Sequence, residues 1–170
     1  RKGSSALTAA LSRNVVCEIL AMLGYHNAAI LFVLVKFFDT VHPLIQIEKC
    51  QQTAYPDLDY KYAMQQHLSP RVLQVQGISG DPIQISNGIL PGCMHSKPFT
   101  SALNSDALID CNKSIENLDT FGYIDDVVQL ASSRKMSKVI SACLVGANKL
   151  SKIFRKLKLV ISPKSGVVSS

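Results

Sequence analysis

Long apolar runs are missing from this 170-residue chain. A helix that spans a bilayer needs about 18 or more consecutive apolar residues, and the longest candidate here, Ala28 to Val35, stops at Lys36. That run reads as a buried strand, and no membrane partner is expected. A signal-peptide pattern is missing too; the chain begins with Arg1 and reads as a fragment of something longer. The five cysteines (Cys17, Cys50, Cys93, Cys111, Cys143) are odd in number and lack Cys-x-x-Cys spacing, which argues against a disulfide framework and a zinc site. They read as reduced thiols of an intracellular protein, nuclear or cytoplasmic rather than secreted. Internal repeats and low-complexity linkers are also absent. Acidic residues are absent from Arg134 to Lys164, a stretch with nine basic ones in a chain of net charge +6. Such a stripe suits a polyanion such as nucleic acid. A solvated helix face in a mildly basic protein is the other reading.

What is present argues for order: 47% of the residues are hydrophobic and charge is scattered, as expected for one domain with a real core. The most informative segment is Tyr123-Ile124-Asp125-Asp126. It lies between Leu118, Phe121 and Gly122 on one side and Val127, Val128, Leu130 and Ala131 on the other. Two adjacent ionised carboxylates repel, and burying them without partners is costly. A divalent cation with hard oxygen ligands, such as Mg²⁺, compensates such a pair. A hairpin tip that happens to read Asp-Asp is the alternative.

Periodicity predicts a mixed chain. Ser4 or Ser5 can cap a helix over 6–23, with Leu7, Ala10, Leu11, Val15, Ile19, Met22 and Leu23 at helical spacing and Gly24 ending it. Ala28 to Val35 follows as a strand, then short helices over 39–50 and 60–68, with Pro43 near the start of the first. Strands at 72–78 and 83–85 flank a hairpin turn at Ser79-Gly80-Asp81-Pro82. A glycine loop runs from Gly88 to Gly92, and a helix covers 96–111. A second hairpin carries the acidic pair. An amphipathic helix over 137–157 presents Val139, Ile140, Cys143, Leu144, Ala147, Leu150, Ile153 and Phe154, and strands at 157–161 and 166–168 end the chain.

That order of elements resembles the palm of a reverse transcriptase of the non-LTR retrotransposon kind. Arg1-Lys2-Gly3-Ser4-Ser5 is similar to the end of the family's fingers. Ala29 to His42, containing Lys36-Phe37-Phe38-Asp39, looks like the first palm motif, commonly Asp-x-x-Lys-Ala-Phe-Asp-x-Val. Gly88 to Phe99 looks like the second, commonly Gly-x-x-Gln-Gly-Cys-Pro-x-Ser. Tyr123-Ile124-Asp125-Asp126 matches the Tyr-x-Asp-Asp hairpin, and Leu157 to Lys164 is similar to the following Leu-x-Leu…Lys segment.

The resemblance implies an α+β fold, a polymerase palm whose antiparallel sheet carries the hairpin and packs on helices. It divides the chain into 1–26, the end of the fingers with the leading helix, and 27–170, the palm. Within the palm the first motif lies at 28–42, the second at 88–99, the acidic hairpin at 121–131, and the helix with its following strands at 137–168. It also implies RNA-templated DNA synthesis, with an RNA template, a DNA primer and deoxynucleoside triphosphates as partners. Two Mg²⁺ or Mn²⁺ ions roughly 4 Å apart activate the primer hydroxyl and stabilise the leaving oxygen in such chemistry. By resemblance Asp125 is the principal hairpin ligand and Asp126 the second. Tyr123, Gly88, Gly92, Phe37, Phe38 and Lys164 would meet nucleotide, template or primer.

The chain departs from the pattern where the metals matter most. The family's metal-binding aspartate falls six residues before Asp39, at Val33. Valine has no lone pair for a cation, and Asp39 lies roughly 10–20 Å further along the chain. The corresponding family aspartate is more often structural, as a cap of the following helix. Pro91 replaces the glutamine of the glycine loop, Met94-His95 replaces Pro-Leu, and Phe37 stands where alanine is usual. The expectation is a palm whose catalysis is impaired. A non-catalytic remnant that binds nucleic acid or another protein is the alternative.

Overall fold

A computed structural model describes the backbone of residues 6–169 and the side chains of residues 11–169. The Arg1–Ser5 segment and the cap expected at Ser4 or Ser5 lie outside the described residues. In chain order the elements are α1 (Ala6–Met22), β1 (His26–Phe32), α2 (Phe37–Thr40), α3 (Pro43–Gln52), α4 (Asp57–Leu68), β2 (Gln74–Val75) and β3 (Ile78–Ser79). They continue with α5 (Ser96–Ser114), β4 (Leu118–Tyr123), β5 (Asp126–Ser133), α6 (Met136–Lys156) and β6 (Gly166–Ser169). This is a mixed helix-and-sheet chain, with an antiparallel four-stranded sheet of order β4-β5-β1-β6 packed on helices.

Side chains alternate across a strand, so the sheet has two different faces. Ile30, Phe32 and Val127 point to the face that α5 and α6 cover, and there they join the main core with Phe99, Leu103, Leu150 and Phe154. Phe32 meets Phe154 edge-on, with ring centroids 6.2 Å apart and planes at 75°, an arrangement worth about 0.5–1.5 kcal/mol beyond burial. A satellite cluster of Ala28, Leu118, Ala131, Val139 and Ala142 closes the other end of α6. The helix therefore runs the length of the sheet and ends beside the tip of the β4–β5 hairpin. On the opposite face, α1 packs against β1.

Local chemistry explains the helix ends. At the end of α1, Gly24 takes φ 74°, its N–H donates to Ala21 O (3.0 Å), and Tyr25 N–H donates to Leu20 O (2.9 Å). This is a Schellman end, which favours glycine because other residues resist positive φ. The same pair of bonds closes α6, where Lys158 at φ 60° takes the glycine's place. Pro43 opens α3 at its first turn, where its missing N–H costs nothing.

Two expectations are corrected. The first hairpin turns at Gln76-Gly77, both at positive φ, and not at Ser79–Pro82, because Gln74 pairs with Ser79 and Val75 with Ile78. Two consecutive positive-φ residues make a type I′ turn, whose twist suits a hairpin. Residues 157–161 form no strand: the Lys158 turn occupies most of them, and only Ile161 bridges, to Leu34. On α1, Leu11, Val15, Ile19, Met22 and Leu23 are all exposed. On α6, Ile140 and Leu144 are exposed while Val139, Leu150 and Phe154 are enclosed.

Candidate carboxylate site

The acidic pair sits where β4 turns into β5. Tyr123 pairs with Asp126, leaving Ile124-Asp125 as a two-residue loop. Ile124 has φ 57° and Asp125 has negative φ, the pattern of a type II′ turn, whose first central position favours glycine. A β-branched residue held there stores strain of about 1–3 kcal/mol. Tyr123, Ile124 and Asp125 are half-buried and Asp126 is exposed.

Among the described residues neither carboxylate takes part in an ion pair or accepts a hydrogen bond. Asp126 is held above the ordinary carboxylate range, first by loss of solvent and then by the neighbouring charge of Asp125. Among the described residues the pair thus has no ion-pair partner, although Arg13 lines the same cavity.

The strand facing it is β1. Its register with β5 runs from His26–Ser133 to Phe32–Val127. One step further, Val33 comes level with Asp126. Val33 N–H donates to Ser165 Oγ (3.0 Å), and its carbonyl accepts from Ser162 N–H (2.7 Å) and Ser165 Oγ–H (3.3 Å). Both backbone groups of Val33 therefore point away from β5, which makes Val33 and Asp126 a non-hydrogen-bonded pair. Such pairs bring side chains closest, with Cα atoms about 4.5 Å apart. Val33 and Asp126 line one cavity of about 290 Å³ with Arg13, Leu31, Phe121 and Tyr123.

The two-ion site that the resemblance implies needs carboxylates from both strands. The donor set here is two adjacent carboxylates on one strand turn and a valine on the other, and it does not fit. Among the described residues, no group of three or more His, Cys, Asp and Glu side chains is placed to hold a metal ion.

The other sequence-predicted residues divide. Lys164 is exposed one residue before Ser165, so the turn that clasps Val33 carries Lys164 to the same end of the sheet. Phe38 is half-buried, edge-on to Phe37 at 5.4 Å. Phe37 itself is a core residue, 2% exposed. Gly88 is needed for close contact with the chain itself. At φ 99°, a Cβ there would lie 2.9 Å from Phe38 O and 3.2 Å from Asp39 Cα. Gly88 N–H donates to Val41 O (2.8 Å) and Ile89 N–H to Phe38 O (2.7 Å), which fastens the glycine loop to the turn after β1. Gly92, at φ 82°, has open space around it. Asp39 is exposed and caps no helix; the cap position of α3 is His42, without a side-chain bond.

Sequence reasoning missed three positions. His67, fully enclosed, accepts Leu90 N–H at Nδ1 (2.8 Å), while Leu90 O accepts the Ser96 hydroxyl, so the glycine loop is held from both sides. Arg13 reaches the cavity from α1, and Ser165 clasps Val33. These contacts join residues 23 and 132 positions apart in two cases, and no local pattern announces them. No family model matches the chain, and no curated protein matches it either.

Proposed function

We propose that this chain is the palm of an RNA-directed DNA polymerase of the non-LTR retrotransposon type, with nucleotidyl transfer impaired by Val33. One observation carries the reading: the end of β1, the Tyr123–Asp126 turn and the Ser162–Ser165 turn, far apart in sequence, meet at one end of an antiparallel sheet. A two-metal polymerase needs that convergence, because the attacking and leaving oxygens must be held by groups from neighbouring strands. The substrates on this reading are an RNA template, a DNA primer and deoxynucleoside triphosphates. Asp125 and Asp126 hold Mg²⁺ or Mn²⁺ poorly without a carboxylate at position 33.

A second reading is a non-catalytic remnant that keeps only nucleic-acid binding. It is favoured by cations near the same end of the sheet that have no partner among the described residues. Primer extension on an RNA template with Mg²⁺ or Mn²⁺ tests both, comparing the natural sequence with Val33→Asp. Extension by the aspartate variant alone supports the impaired palm. Robust extension by the natural sequence overturns the impairment. Extension by neither, with template binding intact, favours the remnant.

A further inference from the structure

The nine basic residues between Arg134 and Lys164 do not form one uniform face. Lys138 pairs with Glu116 at 3.7 Å and Lys149 with Asp110 at 2.8 Å, and Lys149 also donates to Ser114 Oγ at 2.6 Å. Arg134 lies over the Tyr25 ring, 5.3 Å from its centroid. Those three cations are used within the fold. Lys152, Arg155, Lys156 and Lys158 are exposed, and among the described residues their side chains take part in no ion pair or hydrogen bond. No acidic residue follows Asp126 in the sequence; Glu48 and Asp106 line a cavity with Lys156 but form no ion pair with it, Asp106 being paired with Lys49.

We infer that Lys152, Arg155, Lys156 and Lys158 form a cationic platform for the phosphate backbone of nucleic acid, on the outer side of α6 and separate from the Val33–Asp126 cavity. Its place follows from the fold. The last turns of α6 lie at the hairpin-tip end of the sheet, because Phe154 packs on Phe32. The helix covers the face opposite to the one that carries Val33, Asp126 and Arg13. Val35 N–H donates to Val160 O (2.8 Å), and Leu34 bridges Ile161, which brings Lys36 alongside the Lys158 turn.

Cations near a helix C-terminus also answer the helix dipole, but that effect is confined to the last turn. It accounts for Arg155 and Lys156 and not for Lys152 or for Lys158 beyond the end. Lys158 also occupies the positive-φ position of a Schellman end, where glycine is favoured. Its ammonium is thus presented at the expense of backbone ease. The choice of nucleic acid over other polyanions rests on the function proposed above.

The test uses the 170-residue chain and fluorescence anisotropy with a short labelled single-stranded RNA, then its DNA counterpart, between about 50 and 200 mM salt. Each phosphate contact on a single strand contributes about 0.7 to the slope of log affinity against log salt. Lys158→Gly is expected to lower the slope by about 0.7 while raising Tm, so lost binding cannot be lost folding. Lys152→Ala/Arg155→Ala/Lys156→Ala together are expected to lower it by about 2, which weakens binding roughly a hundredfold at 0.1 M salt. Lys138→Ala and Lys149→Ala, whose cations are already paired, leave the slope unchanged. An unchanged slope in the triple variant overturns the platform. So does tighter binding to vesicles of anionic lipid that unlabelled RNA fails to displace. Asp125→Asn with Asp126→Asn leaves RNA binding here intact while abolishing any extension gained by Val33→Asp, so platform and carboxylate site fail separately.

Discussion

Replacing Val33 by aspartate adds a third carboxylate directly across the ladder from Asp126, and the consequences can be worked out before the experiment. Val33 and Asp126 form a non-hydrogen-bonded pair, and the two carboxylates would stand about 5 Å apart. Between an effective dielectric of 20 and that of water, their repulsion is about 1–3 kcal/mol. Removing the half-buried valine side chain from the cavity wall adds about 1 kcal/mol. Without divalent ions the variant is therefore less stable by roughly 2–4 kcal/mol, and for a chain of this size each kcal/mol moves Tm by about 2–4 °C.

A divalent ion reverses the sign. The variant has carboxylates from two strands around one point, and an ion present at a hundred times its dissociation constant stabilises the fold by about 2.7 kcal/mol. Differential scanning fluorimetry with and without Mg²⁺ or Mn²⁺ is the assay. The natural sequence should show little change on adding either ion, whereas Val33→Asp should regain most of its lost Tm. Equal responses from the two proteins would mean that position 33 does not address Asp125 and Asp126. Val33→Asn separates charge from shape: it keeps the size of the aspartate and should recover almost nothing with the ion.

Asp126 is raised above the usual carboxylate range by desolvation and by Asp125, so the fold favours its protonated form. That contribution to stability is present below the unfolded carboxylate value and is lost as pH rises through the raised folded one; subtracting an Asp126→Asn pH–Tm profile from the natural one should show the difference growing across that window. His67 is shifted the other way, first by burial and then by the charges of His95 and Arg71; its contribution is present above the unfolded histidine value of about 6.5 and is lost as pH falls through the depressed one. His67→Phe removes the acceptor of a buried Leu90 N–H and should cost about 1–3 kcal/mol, with amide exchange in the glycine loop rising more than in the sheet. Gly88→Ala forces a Cβ against Phe38 O in a backbone region closed to alanine, and a loss of about 2 kcal/mol or more is expected by chemical denaturation.

The legible parts of this fold are those whose determinants are local. Gly24 marks the end of α1, Pro43 the start of α3, and the Leu118–Ala131 alternation marks the strands flanking the acidic turn. The first hairpin misleads because Ser79-Gly80-Asp81-Pro82 is rich in turn formers while the real turn needs only Gln76-Gly77 at positive φ. Burial is less legible than helicity. Leu11, Val15, Ile19, Met22 and Leu23 on α1 have helical spacing but lie exposed, since the spacing says that an apolar face exists and not what covers it. At the site, Asp125 and Asp126 stand out because adjacent carboxylates amid apolar neighbours are unusual. Ser165 and His67 do not, because their roles consist of contacts made across the fold.

The hairpin-tip end of the sheet carries charges that the fold leaves unpaired. Asp125 and Asp126 lack cationic partners among the described residues, and Lys152, Arg155, Lys156 and Lys158 lack anionic ones. Elsewhere the same chain does pair its charges: Lys49 with Asp106, Lys138 with Glu116 and Lys149 with Asp110. Exposed pairs of that kind are worth only up to about 1 kcal/mol each, so folding gains little by making them and loses little by leaving charges apart. The unpaired cations of α6 then have their largest effect on what approaches the molecule. A polyanion is drawn to the α6 side, whereas on the other face Asp125 and Asp126 repel it locally, beside Arg13 in the same cavity. On the polymerase reading proposed above, a pair of divalent ions would cancel that repulsion in a competent palm. With Val33 in place the repulsion stays, so a bound strand is expected to rest on the cations without reaching the turn.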